Sequence, residues 1–420
     1  MKTQLTIALS AFLLSMYSLS FAQEGRRLQY DRPPGKDGIN VFETPKNDTI
    51  EYTGMAVRVG GDFSIIFQGL DHSNDNAALE LVDLSNNFAL PTANLNLDVQ
   101  MADGVRMHLR TYLSSRHHAE AWVKGGYFQM DNLNFIKEGF MSGLMEYTTL
   151  RFGMDEINYG DAHFRRSDNA RAIYNPFVGN YIMDAFTTEP FGEITVQSNG
   201  LLAVLGISNG RLNQAPLTGD DGFAFYSKLG YDNLAEDGLR FRLTGSLYTS
   251  SERSTRDYLY NGDRAGARYY NVLEVVDEAR PSDFLPRFNT GYAHQTAIQF
   301  NPFIKYDGLE FFGILEFVNN GDDEVGGGVT HFGAEALYRF GTDEKLYFGA
   351  RYNSVGGEVV DGAPEININR FNIGGGWFIT DNTVMKLEYV TSTYDGDGWV
   401  GTKFEGAEFS GINLEAAISF

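Results

Sequence analysis

The sequence predicts an all-β protein, a transmembrane antiparallel up-and-down β-barrel of about sixteen strands with long extracellular loops. Three observations predict this fold class. Apolar and polar residues alternate with a period of two along many segments of about ten residues. The connections between these segments are alternately short and long. The last alternating segment runs to Phe420 with no tail after it.

The N-terminus is typical of a secretory signal peptide, which we assign to residues 1–22. Lys2 precedes a short apolar core at 5–14, and small residues flank the expected cleavage site in Ser20-Phe21-Ala22. A membrane anchor is the alternative, but this core is well short of the ~20 residues that a spanning helix needs. Export and a barrel together predict location in the cell outer membrane.

The chain after the signal peptide divides into two parts. Residues 23–53 are charged and contain Pro33-Pro34, which predicts a flexible periplasmic leader. Residues 54–420 are expected to form the outer-membrane β-barrel, with no second domain. The chain has no cysteine, which excludes a disulfide framework, and a net charge of -22. A soluble, acidic, sugar-binding β-protein has a similar composition, so the residue pattern has to decide.

The clearest pattern is a hairpin. Residues 94–101 and 105–113 alternate strictly on either side of Asp103-Gly104, a pair typical of tight β-turns. In a soluble sandwich the apolar faces of such strands meet in a core. In a membrane barrel they face lipid, and the polar faces line the lumen.

The connections fall into two classes when the last strand is taken to end in the periplasm. Short periplasmic turns are expected at 103–104, 198–200, 233–238, 307–308, 341–344 and 380–382, and long extracellular connections at 70–92, 158–190, 209–221, 251–290, 319–328, 355–364 and 395–403. Two connections deviate. The one near 114–116 is short, and 130–146 is long and is expected to hold a small helix. Broken alternation between Ile368 and Phe371 predicts a β-bulge.

Along each alternating strand, the position of a residue relative to the apolar residues shows which face it lies on. This parity assigns the charged residues of the strands to the lumen wall, and twelve of them are basic and nine acidic. A positive excess in a narrow, low-dielectric channel favours anions. Alternatively, the opposed charges pair across the strands and cancel. The residues that we single out as lumen-lining are Arg106, Arg110, Arg151, Arg240, Arg242, Arg339, Arg351 and Glu335.

The long connection 158–190 is rich in charges of both signs. A sixteen-stranded barrel encloses an aqueous channel, and charged side chains commonly form the narrowing that gives such a channel selectivity. We therefore expect this connection to fold inward as a constriction loop, with Arg165, Arg166, Asp168 and Arg171 at the narrowing. The alternative is an ordinary exposed loop.

Three short motifs resemble the strand and constriction-loop region of the phosphate-selective porin family. They are Leu150-Arg151-Phe152-Gly153-Met154, Phe164-Arg165-Arg166-Ser167-Asp168-Asn169 and Glu189-Pro190-Phe191-Gly192. The resemblance implies a homotrimer, inward arginines and lysines, and passive uptake of phosphate or other small anions. Phe420 also resembles the C-terminal assembly signal of outer-membrane barrels. Unlike the family, this chain has no dense basic ladder.

The sequence offers little catalytic or metal chemistry. The seven histidines lack helical metal-binding spacing, and only Asp161 and His163 suggest a catalytic pair. The acidic glycine turns at 219–222, 321–324 and 395–398 are explained by turn chemistry, although Ca²⁺ binding is an alternative. We predict no enzyme, cofactor, metal site or nucleic-acid partner. The expected partners are outer-membrane lipid and small polar or anionic solutes. The function expected is a passive porin, with a barrel enzyme acting on lipid or peptide, or a plugged structural or adhesive barrel, as alternatives.

Overall fold

The computed structural model describes residues 27–89, 91–114, 121–211, 222–235, 238–251, 259–260, 266–276 and 285–420; the predicted signal peptide lies outside them. Within these ranges, sixteen strands of 8 to 18 residues form one closed antiparallel barrel. They are β1 (Ala56–Ser73), β3 (Thr92–Ala102), β4 (Val105–Ser114), β5 (Trp122–Met130), β6 (Thr148–Glu156), β7 (Thr188–Ser198), β8 (Leu201–Ser208), β9 (Ala224–Leu234), β10 (Arg240–Ser250), β11 (Gln295–Tyr306), β12 (Leu309–Asn320), β13 (Gly328–Phe340), β14 (Leu346–Glu358), β15 (Ile366–Thr380), β16 (Thr383–Asp395) and β17 (Glu408–Ser419).

The barrel closes where β1 pairs with both β3 and β17. Asp62 on β1 lies opposite Asn94 on one side and Ser419 on the other. All other neighbours in the barrel follow chain order, so the predicted up-and-down topology is confirmed. The two-residue strand β2 (Asn87–Phe88) lies in the first long connection and pairs with β1.

Tight turns join the strands at one end of the barrel. At Asp307-Gly308 both residues have positive φ, 44° and 81°, as a type I′ turn requires. This turn suits the right-handed twist of the strands it joins. The short connection predicted at 307–308 is therefore an ordinary hairpin turn.

The strands are apolar on the outside. On β10, Leu243 is 44% exposed while the preceding Arg242 is 2% exposed, and on β14 the same holds for Phe348 at 54% and Tyr347 at 3%. This inside-out pattern is that of a membrane barrel and excludes the soluble alternative. In the part of the chain that is described, no helix is long and apolar enough to cross a membrane.

The core of the protein lies inside the barrel. Buried apolar residues of two long connections, among them Met183, Leu259 and Leu273, pack against inward strand residues such as Tyr226 and Val355. The barrel is therefore filled in part by its own connections, and the apolar residues of those connections are buried in its interior.

One predicted detail of the strands comes out differently. The predicted bulge between Ile368 and Phe371 is wrong, because β15 pairs with β14 without a break there and its register shifts between Phe378 and Thr380 instead. Alternation broke because Ile368, an inward residue, is apolar where it joins the interior core. The long connection 130–146 does hold a short helix, α1 (Ser142–Met145). The connection after Ser114 runs mostly outside the described residues.

Candidate functional site in the barrel lumen

The predicted lumen residues lie on the inner wall. Arg106, Arg110, Arg242, Arg339, Arg351 and Glu335 are buried there, and the Arg151 and Arg240 side chains are 20% and 25% exposed. Lys345, one of the twelve basic residues that the alternation assigned to the wall, is instead exposed in the turn before β14. Glu120, one of the nine acidic residues assigned there, lies outside the described residues. Parity analysis also missed Lys228, although its outward neighbours Phe225 and Leu229 mark it as inward.

The wall arginines are paired with carboxylates. Each of the seven that were predicted from the sequence has a carboxylate oxygen within 3.3 Å. For six of them this carboxylate comes from the strands or from the folded-in connection. Arg106 differs, because its carboxylate partner belongs to the leader and its wall partners, Tyr127 and Gln129, are neutral. The expected positive excess is therefore largely neutralised, as the pairing alternative proposed.

The connection between β6 and β7, residues 157–187, lies inside the barrel and is buried almost throughout. It is thus not an exposed external loop. Arg165 ties it to the opposite wall, with Nη2 2.5 Å from Glu310 and 2.6 Å from Glu335. Burial alone lowers the pKa of Arg165, but these two carboxylates outweigh it and raise that pKa. Since the glutamates are held by Arg339 and Arg351 as well, the cluster is a cross-lumen network.

The other three predicted loop residues are also engaged. Arg166 donates to Asp184 within the same connection at 2.5 Å. Asp168 accepts from Lys124 and, at 3.3 Å, from Arg110 on the wall. Arg171 lies against Glu156 at the end of β6. The structure therefore brings Arg110, Asp168 and Arg171 together, whereas Arg165 belongs to a separate cluster.

A second connection, between β10 and β11, also enters the lumen, which the sequence analysis did not predict. Arg268 lies 2.7 Å from Glu415 on β17. The hydroxyl groups of Tyr260 and Tyr269 donate to Glu316 and Glu388 at 2.7 and 2.9 Å. The aromatic residues of this connection, five tyrosines and two phenylalanines among residues 251–294, were the available signal, since tyrosines that are buried need a partner for their hydroxyl group.

The described part of the leader differs from the expected flexible segment, because it is packed into one end of the barrel. Asp31 lies 2.6 Å from Arg58 and 3.2 Å from Arg106. The Arg32 guanidinium stacks 3.8 Å above the ring of Tyr174 and donates to the Phe164 carbonyl at 2.9 Å. Burial lowers the pKa of Arg32 to about 10. The leader thus contacts both the wall and the folded-in connection.

A second group of leader contacts lies eleven residues further on, at Phe42 and Glu43. Phe42 packs edge-on against Phe164 and Phe303, with ring centroids 5.6 and 5.3 Å away. Glu43 lies 2.8 Å from Arg242 and 3.2 Å from Lys228. Burial alone raises the pKa of Glu43, but these two cations outweigh it and hold that pKa at about 2. The leader is therefore anchored by two carboxylates, each placed in a basic cluster of the wall.

A polar cavity of about 170 Å³ remains between the leader, the connection 157–187 and the wall from β1 to β7. Its lining alternates in charge, with Arg58, Arg106, Arg110, Arg151 and Arg171 facing Asp62, Asp98, Asp155, Glu156 and Glu193. A larger vestibule of about 980 Å³ lies at the leader end of the barrel. Asp31 and Arg58 line both spaces, so their ion pair stands between the vestibule and the cavity.

Several polar atoms of the cavity wall have no protein partner. They include Oδ1 of Asp62 and Nε of Arg106, Arg110, Arg151 and Arg171. Buried polar atoms normally have a partner, either protein or water. With its charged lining and a volume of about 170 Å³, the cavity is polar and large enough to hold water. Among the described residues, no three His, Asp or Glu side chains are arranged to hold a metal ion.

Comparison with known proteins identifies the fold. No protein-family model and no curated protein sequence matches the chain. Solved structures do match. OmpT, an outer membrane protein of Vibrio cholerae in a trimer form, is 10% identical over 87% of this chain and 100% of its own, with a TM-score of 0.52. The outer membrane channel DcaP of Acinetobacter baumannii is 11% identical over 88% of this chain and 99% of its own, with a TM-score of 0.51.

A third similar structure is an anion-selective porin from Comamonas acidovorans. It is 11% identical over 87% of this chain and 100% of its own, with a TM-score of 0.52. At these identities the likeness concerns the fold alone. The chain is therefore a sixteen-stranded β-barrel of the outer-membrane type, with a lumen that holds two of its own connections and its leader.

Proposed function

We propose that the protein is an outer-membrane porin for passive diffusion of small polar solutes. The observation that supports this most directly is the charge-lined cavity between the folded-in segments and the β1–β7 wall. The path would run from the vestibule past Asp31 and Arg58 into the cavity, and then past Arg110 and Arg171. Export by a cleaved signal peptide and the placement of the long connections outside the cell belong to the same proposal.

We expect this path to favour anions mildly. Five arginines line it, and arginine binds anionic oxygens with two donors at once. The facing carboxylates oppose a steep preference, and the dense basic ladder of the phosphate-selective family is lacking. The name of the Comamonas acidovorans porin supports an anion preference, without bearing on phosphate. The trimer form named for OmpT similarly supports a homotrimer.

A second candidate function is a plugged structural barrel. The observation that favours it is the depth of filling, since residues 157–187 and the leader occupy the lumen and each predicted loop residue has an oppositely charged partner. A barrel enzyme gains less support. Asp161, one member of the suggested pair, is held by Arg242 and Lys228 instead of facing His163 as a catalytic partner.

The test is the conductance of the purified protein in a planar bilayer, measured for the mature chain and for a variant that lacks residues 27–50. A porin conducts in both forms, with larger steps for the deletion variant. Absence of any channel activity in both, with the folded barrel verified by its heat-dependent gel mobility, would establish the plugged barrel. The reversal potential in a KCl gradient then measures the anion preference.

A further inference from the structure

The connection between β5 and β6, residues 131–147, is unusual for its end of the barrel. The other connections at that end have two to five residues between the strands they join. This one has seventeen, and it contains α1. A hairpin needs no such length, so the extra residues have another use.

Its surface is apolar. Phe135 is 56% exposed and Ile136 59%, and further exposed apolar side chains in the same connection are Phe140, Met141, Leu144 and Tyr147. Six exposed large apolar residues within thirteen positions are costly in water. Such a contiguous patch outside the strands marks an interaction surface.

The patch belongs to a folded unit and not to a loose loop. Backbone bonds close successive turns, from Ile136 to Leu133 at 3.0 Å and from Phe140 to Lys137 at 2.9 Å. Met145 is buried beneath them. The unit is tied to the barrel end, since Asn132 donates to Asp103 at 3.0 Å and the Tyr147 carbonyl accepts from Gln197 at 2.8 Å. The apolar side chains are thus held at the rim.

The strands of the barrel differ in the aromatic residues that they present near this rim. Near this rim, β9 to β17 present outward aromatic side chains that fit a membrane–water interface, namely Tyr231, Phe241, Tyr306, Tyr338, Phe340 and Trp377. By contrast, β3 and β8 contain no aromatic residue, and the one aromatic residue of β4, Tyr112, and that of β7, Phe191, are buried. Between them, β5 contains Trp122, Tyr127 and Phe128 and β6 contains the exposed Phe152, and the connection 131–147 adds Phe135, Phe140 and Tyr147 at the rim.

We propose that the connection 131–147 docks on the periplasmic leaflet of the outer membrane, as an interfacial anchor for the sector β3–β8. Its occupant is phospholipid. The patch continues the lipid-facing surface of β6, where Phe152 is 49% exposed, and of the adjacent β7, where Ile194 is 47% exposed. Aromatic and aliphatic side chains on a short, folded, amphipathic unit are the residues that enter the headgroup–acyl boundary.

The chain's lack of cysteine makes the test direct. Single cysteines replace Phe135 or Phe140, each is labelled with a nitroxide, and the protein is reconstituted in phosphatidylethanolamine–phosphatidylglycerol vesicles. Collision with oxygen, which concentrates in lipid, is compared with collision with a water-soluble nickel complex. Phe348→Cys on the lipid face and Asp323→Cys in a hydrophilic loop give the two reference values, and Glu138→Cys is the polar control within the connection.

If the patch docks on lipid, labels at positions 135 and 140 should be severalfold more accessible to oxygen than to the nickel complex. Their ratio of the two accessibilities should be closer to that of the label at 348 than to that of the label at 323. Accessibility to nickel equal to that at 323 would place the patch in water and overturn the proposal. Protection from both reagents would show a protein contact, most simply a second copy of this chain, and would overturn it too. These readings do not depend on channel activity, so they stand apart from the proposed porin function.

Discussion

Asp31 of the leader and Arg106 of β4 form an ion pair, 3.2 Å between Oδ1 and Nη1, that joins the N-terminal segment to the lumen wall. The second carboxylate oxygen lies 2.6 Å from Arg58. Arg58 also pairs with Asp98, whereas the other polar partners of Arg106 are neutral. One leader carboxylate therefore neutralises a wall arginine and lines both the vestibule and the cavity.

Replacing Asp31 by Asn should enlarge the conductance and shift the reversal potential towards anions. The substitution leaves Arg106 without a carboxylate partner and weakens the attachment of the leader. Removing one partner of a buried ion pair costs about 3–5 kcal/mol. Single-channel recording in a KCl gradient measures both quantities.

The matched control for this variant is Asp37→Asn in the same segment. Asp37 is 63% exposed, and its partner Arg27 is 4.0 Å away. Both variants remove one negative charge from the leader, so a general electrostatic effect would appear in each. Equal behaviour of the two variants would contradict the specific role of Asp31.

How much of this could be foreseen from the sequence depends on how local each feature is. The alternation of side chains along a strand is local, so parity placed Arg106 and Glu335 on the inner wall. Their partners are not local. Arg165 and Glu310 are 145 positions apart and meet only because the barrel is closed and the connection enters it.

The leader shows the same limit. Its charges and Pro33-Pro34 resemble those of an unstructured segment, because nothing within the segment reveals the basic clusters that receive Asp31 and Glu43. Its aromatic residues Tyr30, Phe42 and Tyr52 were the available sign of packing, and three aromatic residues without a regular spacing are a weak signal. Lys228 could have been found, since the parity rule already applied to its strand.

Acid pH should release the second anchor of the leader. The pKa of Glu43 is lowered from its ordinary 4.5 to about 2 in the folded protein, so its ion pairs stabilise the docked leader fully above pH 4.5. That stabilisation is lost as the pH falls from 4.5 towards 2. A fluorophore on Asn47→Cys, an exposed leader position, should therefore show falling anisotropy over this interval.

The Glu43→Gln variant is the control for the acid experiment. Because glutamine does not titrate, the variant should have lower anisotropy at pH 6 and a flatter profile down to pH 2. A steep decrease that persists unchanged in Glu43→Gln would assign the transition to other carboxylates.

On the lipid-facing side of β10, the free-energy cost of introducing a charge should depend on its depth in the bilayer. Leu243→Arg should destabilise the barrel by about 2–4 kcal/mol if Leu243 lies near the bilayer midplane. Leu239→Arg, on the same face but just before the strand begins, should cost about 0–1 kcal/mol. Urea unfolding in phospholipid vesicles measures both. The neighbouring inward residues are unsuitable as tolerant controls, because Arg242 is tied to Asp161 and Tyr347 donates to the Pro176 carbonyl.

Equal destabilisation by Leu243→Arg and Leu239→Arg would mean that the lipid boundary is not where the barrel end indicates. Leu243→Phe completes the set. It preserves the apolar surface and should leave the unfolding transition within about 0.5 kcal/mol of the parent protein.

The arginines of the folded-in connection provide the last prediction. Replacing Arg165, Arg166 and Arg171 together by Gln leaves the carboxylates of Glu310, Glu335, Asp184 and Glu156 with fewer cationic partners in the lumen. The reversal potential should therefore shift towards cations, and the conductance should rise as the connection loosens. Arg240→Gln should shift it less, because Arg240 is partly exposed and charges in contact with water are screened beyond about 8 Å at physiological salt.

The behaviour of the triple variant distinguishes two roles for the connection 157–187. If it borders the permeation path, the triple variant changes selectivity and conductance together. If it only fills a barrel that does not conduct, the triple variant lowers stability and leaves no current to measure. An unchanged reversal potential in a variant that still conducts would mean that ions bypass these arginines, and the constriction assigned to Arg165, Arg166, Asp168 and Arg171 would be wrong.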